Sequence, residues 1–119
     1  MIYGIGIDAV DVARFKIAMS RWGQKLSDRL FTAGELSYCM GKRNPEVHLA
    51  ARFAAKTSFI KALGKSVTYK DIEIERDTAG RPGLKVRGLG QGLRVSLSIT
   101  HDNGMSLAET VIESPHEAR

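Results

Sequence analysis

Residues 45–64 read PEVHLAARFAAKTSFIKALG, and the longest predicted element of the chain lies within them. Proline is favoured at the first position of a helix and glycine just beyond the last one, so Pro45 and Gly64 mark the two ends. Alanine, leucine, phenylalanine and lysine make up most of the interval. The stretch therefore predicts the longest helix of the chain, roughly 28 Å from end to end if it is unbroken.

The composition around this helix is that of an ordinary globular protein. The chain has 119 residues, of which 43% are hydrophobic and 26% charged. Such a chain predicts a single domain over residues 1–119. Its one cysteine, Cys39, cannot form an internal disulfide, which favours the reducing cytoplasm. The apolar N-terminus is too short to span a bilayer, so no membrane segment is expected.

The net charge indicates an anionic partner. It is +5, with an isoelectric point near 9.6, and nucleic acids, membrane surfaces, nucleotides and acidic proteins all match it. Aromatic residues make up only 7% of the chain and lie mostly at predicted core positions, which disfavours nucleic acid. Salt-dependent binding of the chain to DNA or RNA would instead favour a small nucleic-acid-binding domain.

The N-terminal residues 2–10 alternate as a strand does. Tyrosine and two isoleucines fall on one face, and Gly4, Gly6 and Asp8 fall on the other. Glycines leave a neighbouring carboxylate open to a ligand, so Asp8 is the first candidate site residue. A surface aspartate beside a helix start is an equally good interpretation.

Two further helices are predicted between this strand and the long helix. Asp11 is positioned to cap a helix whose buried stripe comprises Val12, Phe15, Met19 and Trp22. Gly23 should end or bend that helix. Thr32 and Glu35 have the spacing of a capping box, which predicts a short helix through Cys39.

The second half of the chain predicts two hairpins. Alternating residues around Ile72–Ile74 and Leu84–Val86 flank a turn-forming segment, and a second pair of strands flanks Asp102-Asn103-Gly104. The fold class is therefore α+β, with a mostly antiparallel sheet and one long helix packed across it.

The long helix carries unusual lysines. Lys56 falls within the apolar stripe, where it must extend to water or meet an anion, and extension to water is the commoner outcome. Thr57 and Lys61 share a small-residue edge that would admit a bulky ligand or simply allow tight packing against the sheet.

Basic residues also gather on the first helix. Arg14, Arg21 and, if the helix continues past Gly23, Lys25 share a face without an interleaved acid, which suits an acidic helical partner. Such a stripe is more commonly just a solvated face. His101 lies at a strand end, where it faces a cleft or bonds to the backbone.

Several blocks, taken in order, resemble the holo-acyl-carrier-protein synthase family of phosphopantetheinyl transferases. They are GIGIDAVDVARF at 4–15, LFTAGELSYC at 30–39, LAARFAAKTSFIKALG at 49–64, DTAGRPGL at 77–84 and VSLSITHDNGMSLAETVI at 95–112. The resemblance spans nearly the whole chain, and the first and third blocks are its most specific parts.

The resemblance implies a function and a set of site residues. The enzyme would move 4'-phosphopantetheine from coenzyme A to a serine of an acyl carrier protein for fatty acid biosynthesis, as a homotrimer with active sites between subunits. Asp8 would hold Mg²⁺ and act in catalysis with Lys61. The remaining implied roles are phosphate contacts for Lys56 and Lys61, a nucleotide pocket bordered by Gly64, Gly80, Arg81, Pro82 and His101, and carrier-protein contacts for Arg14, Arg21 and Lys25.

The chain departs from the family at one position. The third block normally reads AAKEA, so Thr57 stands where a metal-binding glutamate is usual. Threonine can ligate Mg²⁺ but adds no negative charge, so weaker metal binding and slower transfer are expected. A slower natural enzyme, a carboxylate recruited from elsewhere and an inactive copy all remain open, as does a non-catalytic module that binds coenzyme A or the carrier protein.

Overall fold

The computed structural model describes residues 1–90 and 92–115. Its elements, in chain order, are β1 (Ile2–Asp11), α1 (Val12–Leu30), α2 (Ala33–Met40), α3 (Pro45–Leu63), a 3-10 turn (Tyr69–Asp71), β2 (Ile72–Arg76), β3 (Pro82–Val86), β4 (Arg94–Asp102) and β5 (Met105–Glu113). The predicted α+β class is confirmed, and the ends of α3 fall where proline and glycine placed them.

The strands form two antiparallel sheets. One has three strands in the order β1-β5-β4, and the other is the hairpin of β2 and β3. Asn103 and Gly104 both have positive φ, as a tight turn between β4 and β5 requires. In the larger sheet β5 lies between β1 and β4, so these two strands form opposite edges.

The glycine face of β1 packs against α3. A Cβ at Gly4 would collide with the carbonyl oxygen of Ala62, and one at Gly6 would collide with that of Ser58. The expectation that glycines leave open space is therefore wrong, because the helix backbone fills it. The side chains of Ile5 and Ile7 on the other face are 57% and 58% exposed.

Helix α1 bends at Gly23. This residue has φ 54° and ψ −133°, which interrupts the helical backbone. Asp11 caps the helix as predicted, accepting a hydrogen bond from the Arg14 N–H at 3.1 Å. Phe15 is buried, but Trp22 is 60% exposed, so its place in the buried stripe is wrong. The bend at the next residue ends the regular spacing on which that stripe was based.

Helix α2 begins with the predicted capping box. Thr32 Oγ1 accepts from the Glu35 N–H at 3.2 Å, and Glu35 Oε1 accepts from the Thr32 N–H at 2.9 Å. Cys39 is fully buried in this helix, and burial raises the pKa of its thiol. Within the described ranges, none of the helices combines the length and apolar character needed to cross a membrane.

Candidate active site

Asp8 and Lys61 meet where β1 crosses α3. Lys61 Nζ lies 3.1 Å from Asp8 Oδ1 and also donates to the carbonyl oxygen of Ile7 at 3.0 Å. The Asp8 side chain is only 17% exposed, whereas that of Lys61 is 53% exposed. The close packing of α3 on the glycines of β1 produces this contact. The two residues that the resemblance assigned to one site therefore lie side by side, without the open glycine face expected beside Asp8.

Thr57 faces the same site from one turn earlier in α3. Together with Asp8 it lines a cavity of about 720 Å³ between β1, α1 and α3, which we name the Asp8 cavity. Thr57 Oγ1 is buried and has no hydrogen-bond partner among the described residues. An unpaired buried hydroxyl is costly unless a ligand or water completes it.

The oxygen donors of the Asp8 cavity fit Mg²⁺. This ion takes oxygen ligands and is commonly held by one or two carboxylates, with substrate phosphates and water completing its shell. Asp8 supplies a carboxylate and Thr57 an unpaired hydroxyl in one cavity. In residues 1–90 and 92–115, three or more His, Cys, Asp or Glu side chains do not gather into a metal site. Most ligands of the ion would therefore have to be groups other than these side chains, such as substrate phosphates and water.

Lys56 was predicted to contact the coenzyme A phosphates, but it does not line the Asp8 cavity. Its side chain is fully buried, and its ammonium donates to Glu35 Oε1 at 2.6 Å and to the carbonyl oxygens of Leu30 and Tyr69 at 2.7 and 3.0 Å. Three bonds use all three protons of the ammonium. A phosphate contact is thus not supported, because no proton is left for it. Nor does Lys56 extend to water.

The basic residues of α1 divide into two groups. Arg14 lines the Asp8 cavity together with Arg29, so it lies beside Asp8. Arg21 and Lys25 are exposed, but Gly23 bends the helix between them. Lys25 lines a separate groove with Trp22. The predicted continuous stripe therefore does not extend from Arg14 to Lys25.

His101 contributes to a second, smaller pocket that is strongly cationic. This pocket of about 220 Å³, which we name the His101 pocket, lies between α3, β4 and the end of β2. Its basic side chains are His48, Arg52, Arg76 and His101. Arg52 is 3% exposed, and its Nε has no partner within the described part of the chain. A buried guanidinium N–H without an acceptor is suited to bind an anion.

Electrostatic repulsion is visible in this pocket. Burial lowers the pKa of His48, and the positive charges of Arg52, Lys42, Arg76 and His101 lower it further. Arg52 lies over the ring of Tyr38, with its guanidinium carbon 4.5 Å from the ring centroid, and Lys42 lies at the same distance. The Tyr38 ring thus helps to hold two cations near one another.

The sequence arguments missed His48, Arg52 and Arg76. Arg52 could have been found by the argument that identified Lys56, because it is also a cation within the mostly apolar stretch of α3. Arg76 could not, since an arginine at the exposed end of a strand is unremarkable until its partners are known. Its guanidinium donates to the Gly80 carbonyl oxygen at 2.7 Å, which ties the β2–β3 turn to the pocket wall.

The other predicted nucleotide contacts remain apart from His101. Gly80 and Arg81 lie in the exposed β2–β3 turn, and Pro82 begins β3. Gly64 ends α3 in a left-handed conformation with φ 74°. Its neighbours Leu63 and Lys65 line a different cavity. None of these four residues lines the His101 pocket, although Arg76 joins Gly80 to its wall.

Comparison with known proteins gives one consistent result. The family model of the 4'-phosphopantetheinyl transferase superfamily matches residues 4–112. A holo-[acyl-carrier-protein] synthase of Geobacter sulfurreducens is 40% identical, with 97% of this chain and 100% of that protein covered. The whole length of the chain, rather than one motif, carries the similarity.

Solved structures agree with this result. The holo-[acyl-carrier-protein] synthase of Neisseria meningitidis has a TM-score of 0.85 and 33% identity, covering 96% of this chain and all of that one. The enzyme from Bacillus anthracis, solved in complex with CoA (3',5'-ADP), has a TM-score of 0.84 and 32% identity, covering 96% and 98%.

Proposed function

This chain belongs to the 4'-phosphopantetheinyl transferase superfamily and is a phosphopantetheinyl transferase; from that premise we propose that it modifies an acyl carrier protein. It transfers the 4'-phosphopantetheine group of coenzyme A to a carrier serine and releases adenosine 3',5'-bisphosphate. The observation that carries this proposal is the convergence of Asp8, Thr57 and Lys61 beside one cavity.

The reaction requires stabilisation of charge on phosphate oxygens. The serine oxygen forms a bond to the phosphorus that carries pantetheine, and the bond from that phosphorus to the bridging oxygen breaks. The half-exposed ammonium of Lys61 lies beside Asp8 and is free to turn toward those oxygens. Fixed positive groups aimed at developing charge commonly contribute several kcal/mol to such reactions.

Mg²⁺ is the metal that we propose for the Asp8 cavity. Asp8 and Thr57 would hold it, and the ion would neutralise charge on the pyrophosphate. Because Thr57 provides no charge, we expect weaker metal binding than two carboxylates would give, and reduced activity. Thr57→Glu should raise both Mg²⁺ affinity and transfer rate, while Thr57→Gln, of nearly equal size, should raise neither. No gain from Thr57→Glu would contradict this role.

The phosphate that does not react needs a separate site, for which we propose the His101 pocket. Coenzyme A carries a ribose phosphate besides its pyrophosphate. Four basic side chains and the unpaired Nε of Arg52 suit a single phosphate group. Lys56 is omitted from the proposed contacts, since its ammonium is already fully bonded.

The acidic carrier protein is the proposed partner of α1. Arg14 lies beside Asp8, so a carrier bound there would bring its serine to the reacting phosphorus. Arg21 continues that exposed surface. Lys25, beyond the bend at Gly23, would contact the carrier only at its edge.

We propose that the active form is a homotrimer with composite sites. The Asp8 cavity lies against β1 and the His101 pocket against β4, at opposite edges of the sheet, and the two share no lining residue. One coenzyme A would reach both types of site most directly if two subunits met. The exposed apolar side chains of Ile5 and Ile7 offer a surface for that contact.

One experiment tests the transfer itself. The chain is incubated with coenzyme A, Mg²⁺ and apo carrier protein, and the carrier is weighed by mass spectrometry. A gain equal to one phosphopantetheine group that disappears with a metal chelator supports the proposal. Carrier or coenzyme A binding without that gain favours a non-catalytic binding module instead. We propose that the reaction serves fatty acid biosynthesis and takes place in the cytoplasm. A single domain spanning residues 1–119 would carry it out.

A further inference from the structure

The buried ion pair of Lys56 and Glu35 connects five parts of the chain. Lys56 belongs to α3, Glu35 to α2, and the two carbonyl acceptors to Leu30 at the end of α1 and Tyr69 in the 3-10 turn. Glu35 Oε2 also accepts from the Ile74 N–H of β2 at 2.7 Å. A single buried charge pair thus determines where these elements meet.

Three of these elements, α1, α3 and the 3-10 turn, also line the Asp8 cavity. Leu30 and Tyr69 both line it, and so does Thr57, the residue directly after Lys56. Leu30 is the last residue of α1, where carbonyl groups lack helical partners and a cation is favourable. The Lys56 ammonium therefore joins the carbonyls of two walls of the cavity from behind, without itself lining the cavity.

Stability alone is a weak reason for such a pair. Removing two charges from water is costly, and apolar residues of similar volume often replace a buried ion pair without loss of stability. What apolar residues cannot replace is the direction of three hydrogen bonds from one ammonium. Because the pair lies behind the Asp8 cavity, these three directed hydrogen bonds can hold the walls of that cavity in place.

We propose that Lys56 is a positioning residue for phosphopantetheine transfer, acting with Glu35 to fix the walls of the Asp8 cavity. The inference rests on the proposed function. Without the ammonium, the carbonyls of Leu30 and Tyr69 lose their shared donor and turn toward other partners. Thr57 then shifts with them relative to Asp8. A displacement near 1 Å at a reacting site costs on the order of 100-fold in rate.

The experiment compares wild type with the Lys56→Met/Glu35→Gln double variant. Lys56→Met alone leaves a buried carboxylate unpaired and is expected to unfold, whereas the double variant removes both charges. We expect the double variant to fold, to lose on the order of 100-fold in kcat, and to keep its KM for coenzyme A within about threefold. The KM should be retained because neither Lys56 nor Glu35 lines the His101 pocket.

Phe59→Leu is the matched control. Phe59 is fully buried in α3 but lines neither the Asp8 cavity nor the His101 pocket. It should lower the thermal midpoint while leaving kcat close to wild type. A folded double variant with unchanged kcat overturns the inference, and so does a double variant that does not fold, since the pair is then a determinant of folding. Wild type without any transfer instead overturns the proposed function.

Discussion

The Asp8 cavity and the His101 pocket differ in what their side chains can do. The first combines a carboxylate, an unpaired hydroxyl and a neighbouring lysine in a space of about 720 Å³. The second has about 220 Å³ and four basic side chains but no carboxylate in its lining. A carboxylate and an ammonium can act on a reacting centre, whereas a group of cations can hold an anion. The difference indicates a division between chemistry and binding.

One helix supplies residues to both sites. The first half of α3 contributes His48 and Arg52 to the His101 pocket, and the second half contributes Thr57 to the Asp8 cavity and Lys61 to the contact with Asp8. Since α3 is continuous, the spacing of the two sites within a subunit is fixed by helix geometry. A substitution in the Asp8 cavity should lower kcat, whereas a substitution in the His101 pocket should raise the KM for coenzyme A.

The largest effect is expected from Asp8→Asn. This change keeps the size of the side chain but removes its charge, so both the proposed Mg²⁺ and Lys61 lose their partner. We expect kcat to fall by roughly 100- to 1,000-fold, as for removal of other charge-stabilising groups. The rate of carrier modification measures it. Glu75→Gln, which removes an exposed carboxylate beside Lys85, is the control and should change little. An Asp8→Asn variant with wild-type kcat would show that Asp8 has no role in the reaction.

The next effect is expected from Arg52→Gln in the His101 pocket. Hydrogen bonds to a charged group contribute about 1.5–3 kcal/mol, so the KM for coenzyme A should rise roughly 10- to 150-fold. The kcat at saturating coenzyme A should change by much less. Arg52→Lys should fall between wild type and Arg52→Gln, because it keeps the charge but not the planar donors. A loss confined to kcat would mean that this pocket does not bind substrate.

Mixing these two variants tests whether the sites combine across subunits. If one active site takes its Asp8 cavity from one subunit and its His101 pocket from the next, random mixing of the Asp8→Asn and Arg52→Gln chains restores roughly a quarter of the sites. At coenzyme A concentrations well below the KM of Arg52→Gln, activity after co-refolding should then exceed the sum of the separate variants. Activity equal to that sum would place both halves of the site in the same subunit.

The sequence predicted local structure well and buried contacts poorly. The ends of α3 and the capping box of Thr32 and Glu35 follow from neighbouring residues, and both were predicted correctly. The partner of Lys56 is 21 residues away, so its burial against Glu35 depends on how helices pack. No local pattern contains that information. For the same reason, the glycines of β1 indicated open space when they actually admit a helix.

The Asp8 site shows what a family resemblance adds. Periodicity left Asp8 equally well explained as a surface residue, and the resemblance assigned it to the metal. The structure then brought it to within 3.1 Å of Lys61. By contrast, Arg52 lies inside a matched block but was not singled out. Helical spacing could have marked it as a cation in a mostly apolar stretch, but not its neighbours from β2 and β4.

The smallest expected effect concerns protons taken up when coenzyme A binds. Burial and four positive groups hold the pKa of His48 below its ordinary value of 6.5, so His48 is neutral at pH 7. A phosphate in the His101 pocket adds negative charge and raises this pKa. Binding should therefore take up a fraction of a proton through His48 around its ordinary pKa, and this contribution should decline as the pH rises well above it.

Titration calorimetry in two buffers with different ionisation enthalpies measures that uptake. The phosphate monoester also titrates near pH 6, and cations favour its loss of a proton, so the net value alone is ambiguous. The difference between wild type and His48→Gln isolates the histidine, because the phosphate contribution is common to both. Wild type should take up more protons than His48→Gln at pH 6 and the same number at pH 8. Equal proton uptake by wild type and His48→Gln at both pH values would place the phosphate away from His48. The proposal that the His101 pocket binds coenzyme A would then be contradicted.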